Sequence, residues 1–197
     1  MTAENSSIEW GMLGSTSTLS NVSTQTLTSF FQPLSPYGQI FDPHTLYDAT
    51  NGRFVVVADE ANNSFSKSSL LVAVSEDANP ADGWYFQSIN SAVKIANRST
   101  WADYPKIAVD GTNIVISTNQ FTSSGSYLGA EQYVLQDFAG TNGGLYKGGA
   151  STVTTLRWSN AYSSVEEVSA PGAGGTYALS YTGNGIAVTF NPTQIVG

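Results

Sequence analysis

Asp42 and Asp103 each stand at the entry to an apolar, β-branched run, one beside Pro43 and the other two residues before Pro105. Around them lie the residues of this chain best equipped to hold a ligand: His44 after the first, and Trp101, Tyr104 and Lys106 about the second. Two carboxylates brought together can hold a hard cation or orient sugar hydroxyls. The indole and phenol rings of Trp84, Trp101, Tyr104 and Tyr127 suit the apolar side of a pyranose. The local alternative is that aspartate beside proline builds a turn and caps backbone amides. Asp42, His44, Trp101, Asp103, Tyr104 and Lys106 are the candidate ligand-binding residues, expected at one end of the sheets that carry them.

Other chemistries find less support. His44 is the sole histidine and no Gly-x-Ser-x-Gly elbow occurs, so a serine hydrolase of that type is not expected. A multi-histidine metal site cannot be built within one chain. The absence of cysteine excludes disulfides, zinc–thiolate sites, iron–sulfur clusters and thiol nucleophiles. Arg53, Arg98 and Arg157 are the only arginines, and Arg53 and Arg157 fall in strand positions, so no sialidase-like triplet is expected. No catalytic residue is assigned, although glycoside hydrolysis needs only two acids at a suitable separation, which leaves an enzyme using Asp42 and Asp103 as an alternative.

No cofactor is expected, with one opening for calcium. Asp77, Asn79 and Asp82 around Pro80 have the look of an oxygen-ligand loop, but lack the helix and terminal Glu of an EF-hand. Ser75, Asp77 and Gly83-Trp84 also resemble a stretched Asp-box turn, which is a structural device. Asp48 and Asp110 sit at matching hairpin corners, where turn formation explains them. The Gly-rich loops at 140–149 and 172–175 match no phosphate-binding fingerprint and are expected to be flexible turns. Trp84 and Tyr85 are expected to fill space between sheets.

Composition narrows the partners. The formal net charge is −8 and the seven Lys plus Arg are scattered singly. No basic stripe exists to neutralise phosphates, so neither nucleic acid nor an anionic membrane is an expected partner. No run approaches the roughly 20 apolar residues of a membrane-spanning helix. The start, Met1-Thr2-Ala3-Glu4-Asn5, carries no basic region before an apolar core, so no signal peptide is expected in this chain. That is compatible with a cytosolic protein or with a mature or excised segment, and the Ser/Thr/Asn-rich, Lys-poor composition favours the second.

The elements that must position these residues are strands. Apolar residues make up 41% of the chain and charged residues only 11%, a balance that suits β-branched strands joined by Gly, Asn, Asp and Ser turns. A unit also repeats. Asp42–Asp48 leads into Gly52–Ala58, Asp103–Asp110 into Gly111–Ser117, and a fainter copy spans Tyr177–Phe190. Strands are expected at Thr45–Tyr47, Arg53–Ala58, Ser69–Ser75 and Trp84–Ile89. A second set falls at Lys106–Val109, Ile114–Thr118, Glu131–Gln136 and Thr152–Trp158. A third unit begins near Val165 and ends in a Tyr181–Phe190 hairpin. Ile8–Leu13 makes a leading strand, and Ser15–Ser29 is a hairpin or an ordered loop. Four antiparallel strands per unit is the pattern of propeller blades, here 41–90, 102–158 and 165–197 in one all-β domain, with 1–40 as leading strand and connector.

Phe41-Asp42-Pro43, Leu46-Tyr47-Asp48, Gly52-Arg53-Phe54, Leu71–Ser75, Pro80, Gly83-Trp84-Tyr85, Ala102–Lys106 and Ser117-Thr118-Asn119 follow one another in order. Over about residues 25–135 this succession resembles a group of large secreted bacterial β-propeller proteins. The resemblance implies a β-propeller-like fold and an extracellular or cell-surface setting, and carries no common activity. Propellers close with roughly four to eight blades, so about three repeats imply an incomplete ring, completed by further copies or another chain. The expected function is a non-enzymatic module binding a glycan or protein partner. The alternatives are a carbohydrate-active enzyme and a structural building block of a ring or fibre.

Overall fold

A computed structural model describes residues 1–14 and 18–158, and the strand backbones of 163–170, 175–181 and 187–190. The chain is all-β. Strands β1 (Thr2–Glu4), β2 (Ser7–Leu13) and β3 (Leu19–Thr26) form a first antiparallel sheet. A single helical turn, α1 (Leu27–Phe30), and a 3-10 turn at Gln32–Leu34 lead to β4 (Gln39–Asp48), β5 (Arg53–Ala61), β6 (Ser68–Ser75) and β7 (Trp84–Asn90). These four pair in chain order as a second sheet. A short ribbon, β8 (Lys94–Ile95) and β9 (Arg98–Ser99), precedes β10 (Trp101–Val109), β11 (Asn113–Phe121), β12 (Tyr127–Thr141) and β13 (Ala150–Trp158), the third sheet. Strands β14 (Ser163–Ala170), β15 (Gly175–Tyr181) and β16 (Ala187–Phe190) make the fourth.

The two four-stranded meanders are the repeat expected from sequence, and the Tyr181–Phe190 hairpin falls on β15–β16. The leading segment carries more than one strand. Ser15–Ser29, expected as a hairpin or an ordered loop, supplies β3 and most of α1, and β1, β2 and β3 form a three-stranded sheet.

Continuous apolar runs in β5 and β6 mark strands buried on both faces. Val55, Val57, Leu70, Val72 and Val74 point one way, into a core with Ile114, Ile116, Tyr133 and Leu135 of the third sheet. Val56, Ala58, Leu71 and Ala73 point the other way, against Ile8, Trp10, Phe30, Phe31 and Ile40. The second sheet is therefore the filling between the first and third. Each buried Val, Leu or Ile contributes roughly 1.5–3 kcal/mol. The apolar strand residues Val55, Val57, Leu71, Ala73, Val109 and Val115 are buried, while Ile107 is half-buried. Ile186 and the side chain of Val188 lie outside the described residues.

The first strands of successive sheets adjoin: β1 meets β4, β4 meets β10, and β10 meets β14. Strands β4 and β10 carry the same irregularity. The ladder skips from Phe41–Asp59 to His44–Val57, and from Asp103–Asn119 to Lys106–Ser117. Each bulge holds a proline, Pro43 or Pro105, whose missing N–H makes it acceptable there. This register corrects the equivalence drawn from sequence. Pro43 matches Pro105, so Asp42 matches Tyr104, and Asp103 matches Phe41. The extra residue in Asp103-Tyr104-Pro105 displaces the carboxylate by one position along the strand.

Candidate functional site

Trp101 opens β10 and is the hub of an aromatic group at the end of the second and third sheets. Its ring lies 4.4 Å from Phe65, 5.9 Å from Phe121 and 6.1 Å from Phe41, centroid to centroid, and Phe121 continues to Tyr127 at 5.5 Å. The indole N–H donates to the Thr122 carbonyl at 3.1 Å, which fixes the ring's orientation. Phe65 sits at the tip of the β5–β6 hairpin with φ of 55° and is 37% exposed. The other four rings are half-buried, so the group offers an edge to solvent while its body seals the sheets. Burial raises the Tyr127 hydroxyl to about 12.

Three carboxylates lie at the same end. Asp59, opposite Phe41 in the ladder, is fully buried, and neither carboxylate oxygen has a hydrogen-bond partner. Burial, then the charges of Asp103 and Asp42, push its ionisation well above the ordinary aspartate range. Asp103 is raised by burial and by Asp42, and a hydrogen bond from the Tyr104 backbone partly offsets this. The physical cause is common to both: like charges at close range in a desolvated region disfavour the ionised form. Polar contacts brace this end, one of them crossing from the third sheet to the second. Ser68 Oγ meets Ser91 Oγ at 2.8 Å and accepts from the Ala102 amide at 3.0 Å, and Thr100 Oγ1 meets Gln120 Oε1 at 2.7 Å.

The six residues expected to share a site fall on two adjoining strands, Asp42 and His44 on β4, and Trp101, Asp103, Tyr104 and Lys106 on β10. Asp42 and Asp103 are close enough for the first to shift the second. Asp42 also has a local duty, since its amide donates to Asn5 Oδ1 at 2.8 Å and ties the bulge to the first sheet. Trp101 faces its aromatic neighbours. Tyr104 is 47% exposed, with the Lys106 ammonium 4.3 Å from its ring centroid. His44 follows the bulge and is paired with Val57 in the ladder.

Sequence reasoning missed Asp59, Phe41, Phe65 and Phe121. The signal for Asp59 was an acid at the end of the run Phe54–Ala58, in a strand too apolar to have a solvent face. The aromatic residues lie in separate strands and a hairpin tip, and only the sheet stacking brings them together.

Elsewhere the turn readings fit. Asp77 Oδ1 accepts from the Asn79 amide at 2.7 Å, Ser75 Oγ bridges the Phe54 amide and the Asp77 carbonyl, and Trp84 Nε1 donates to the Pro80 carbonyl at 2.9 Å. Trp84 packs between sheets, 5.0 Å from Phe30. Among the described residues no group of three or more His, Asp or Glu is arranged to hold a metal ion. The loop at 140–149, expected to be flexible, is instead tightly packed. Its 3-10 turn at Leu145–Lys147 buries Leu145 and Tyr146, and a Cβ at Gly144 would stand 2.6 Å from the Asp137 carbonyl. Residues 172–174 lie outside the described residues.

The site thus combines flat apolar faces with carboxylate acceptors, an arrangement suited to stacking and to receiving hydrogen bonds from hydroxyls. Comparison with known proteins returned no matching family model, no matching curated protein and no matching solved structure, so the functional case rests on this chemistry.

Proposed function

We propose that this chain is a non-enzymatic, extracellular β-propeller-type module that binds a surface glycan through the Trp101 end of its second and third sheets. The supporting observation is the aromatic group of Trp101, Phe65, Phe41, Phe121 and Tyr127 beside Asp42 and Asp103. Ligand sites join apolar and aromatic lining to a few polar groups that fix orientation. The secreted setting follows from the resemblance and from the Ser/Thr/Asn-rich, Lys-poor composition; among the described residues no helix is long and apolar enough to cross a membrane.

The test is a glycan array followed by titration of tryptophan emission with the best neutral oligosaccharide. Trp101→Ala should abolish binding and Asp103→Asn should weaken it several-fold, with folding retained in both. Binding unaffected by either change would overturn the assignment. Release of reducing sugar, lost in Asp103→Asn, would replace it with the paired-aspartate enzyme.

A second reading, assembly into a ring or fibre, is favoured by the first sheet, where Met12, Leu13, Leu19 and Val22 are 51–71% exposed. Light scattering decides it: a monomer at micromolar concentration removes this reading.

A further inference from the structure

The opposite end of the same inter-sheet contact is closed by carboxyl groups with unequal support. Asp48, at the end of β4, is buried and accepts four hydrogen bonds. The Thr50 and Asn51 amides reach Oδ1 at 3.0 and 3.2 Å, and Asn51 Nδ2 and the Tyr146 hydroxyl reach Oδ2 at 2.7 and 3.0 Å. Both of its oxygens are thereby satisfied. Asp137, in β12, is fully buried, yet only its Oδ2 has a partner, Asn51 Nδ2 at 3.3 Å, and Oδ1 has none. It lies where the β12–β13 ladder shifts between Leu135 and Gly140. Its amide donates to the Thr112 carbonyl at 3.0 Å, which ties it to the β10–β11 turn.

Asn51 joins the two sheets here. Its Nδ2 lies within reach of Asp48 Oδ2, Asp137 Oδ2 and the Gly111 carbonyl at 3.1 Å, three acceptors for two hydrogens. One acceptor must go short unless a further proton is present. A protonated Asp137 supplies it and removes the like charge next to Asp48.

We propose that Asp137 carries a proton in the folded protein and that its ionisation loosens the contact between the second and third sheets, making this clasp a pH-responsive element. The groups facing Asp137 agree with this. Burial, and then the charges of Asp48 from β4 and Asp110 from the β10–β11 turn, raise its ionisation to about 8. Tyr146, from the 3-10 turn, bears on the same group, and burial raises its own ionisation far above the ordinary tyrosine value. The cations are engaged elsewhere: Arg53 donates to the Ser75 carbonyl, and Lys147 lies over the Phe138 ring. Asp110 itself is lowered, because its hydrogen bonds from Thr112 and Asn113 outweigh its burial, so it stays a charged neighbour.

The folded-state ionisation lies above the unfolded value, so the stabilisation is complete below the ordinary aspartate range, about pH 4. It is lost as pH rises toward 8. The experiment measures urea unfolding from pH 5 to 9 for the wild type and Asp137→Asn, with the carbon-13 carboxyl shift of Asp137 followed in the wild type. Within the window one proton changes the unfolding constant up to about tenfold per pH unit. The variant should lose a slope of about one proton, and the Asp137 carboxyl should titrate well above the ordinary aspartate range. Exchange of the Asp137 amide, referenced to the variant, should accelerate above pH 8. An unchanged slope, or a carboxyl titrating near pH 4, overturns the proposal. Should Asp137→Asn fail to fold, the wild-type carboxyl titration alone decides.

Discussion

Asp42 and Tyr104 occupy the same position in successive sheets, each one residue before a bulge proline, with φ of 46° and 62°. Left-handed backbone at a non-glycine residue costs of order 1–3 kcal/mol and persists where its surroundings over-determine it. For Asp42 one such restraint is the hydrogen bond to Asn5. The bulge bends the first strand of each sheet where its end meets the next sheet, so the site geometry depends on it.

At Tyr104 this strain is open to measurement. A β-branched residue tolerates positive φ worst and glycine tolerates it freely. Tyr104→Val should therefore be about 1–2 kcal/mol less stable than Tyr104→Gly in urea unfolding, the reverse of the order normal for a strand.

Ile116 lies in the core between the second and third sheets, fully buried. Ile116→Ala should cost about 2–5 kcal/mol. Ile107→Ala, at a half-buried edge of that core, should cost less. Equal costs would mean that the two sheets do not pack through this face.

Asp59 offers a pH signature at the site end. Its ionisation in the folded chain is raised by burial and by Asp103 and Asp42. Its contribution is therefore full below the unfolded aspartate value and lost as pH rises toward the folded one. The melting temperature of the wild type should fall from pH 4 upward, and Asp59→Asn should flatten that fall. In acid the two should be similar, because each then buries a neutral polar side chain without a partner, and Asp59→Asn should become the more stable as pH rises.

The strand pattern was legible because its cause is local. Val55–Ala58 and Leu70–Val74 are apolar without alternation, and only a strand covered on both faces reads that way. The bulge was half legible. Both prolines were visible, but pairing Asp42 with Asp103 needed the ladder, in which Pro43 and Pro105 align and the acids do not. Glu131 and Arg157 show the same limit. They are 26 residues apart in sequence, yet opposite one another on β12 and β13 and joined at 2.8 Å. Asp137 looked like one more polar residue after a strand. Its buried, under-supported carboxyl arises from the fold of the Gly-rich loop, whose close approach at Gly144 no local pattern announces.

Phe65 separates recognition from folding at the proposed site. It is 37% exposed at a hairpin tip, and its ring stands 4.4 Å from Trp101 with the planes 32° apart. Removing it uncovers one face of the indole without opening a core cavity. Phe65→Ala should lower stability by less than about 1 kcal/mol, in the range of exposed aromatic contacts. It should also shift Trp101 emission to longer wavelength. If Trp101 is the stacking platform, binding of the array-selected oligosaccharide should change in Phe65→Ala by at least several-fold, while Phe138→Ala, an exposed aromatic near the opposite end, should leave it unchanged. A Phe65 variant with altered emission and wild-type affinity would place the ligand elsewhere.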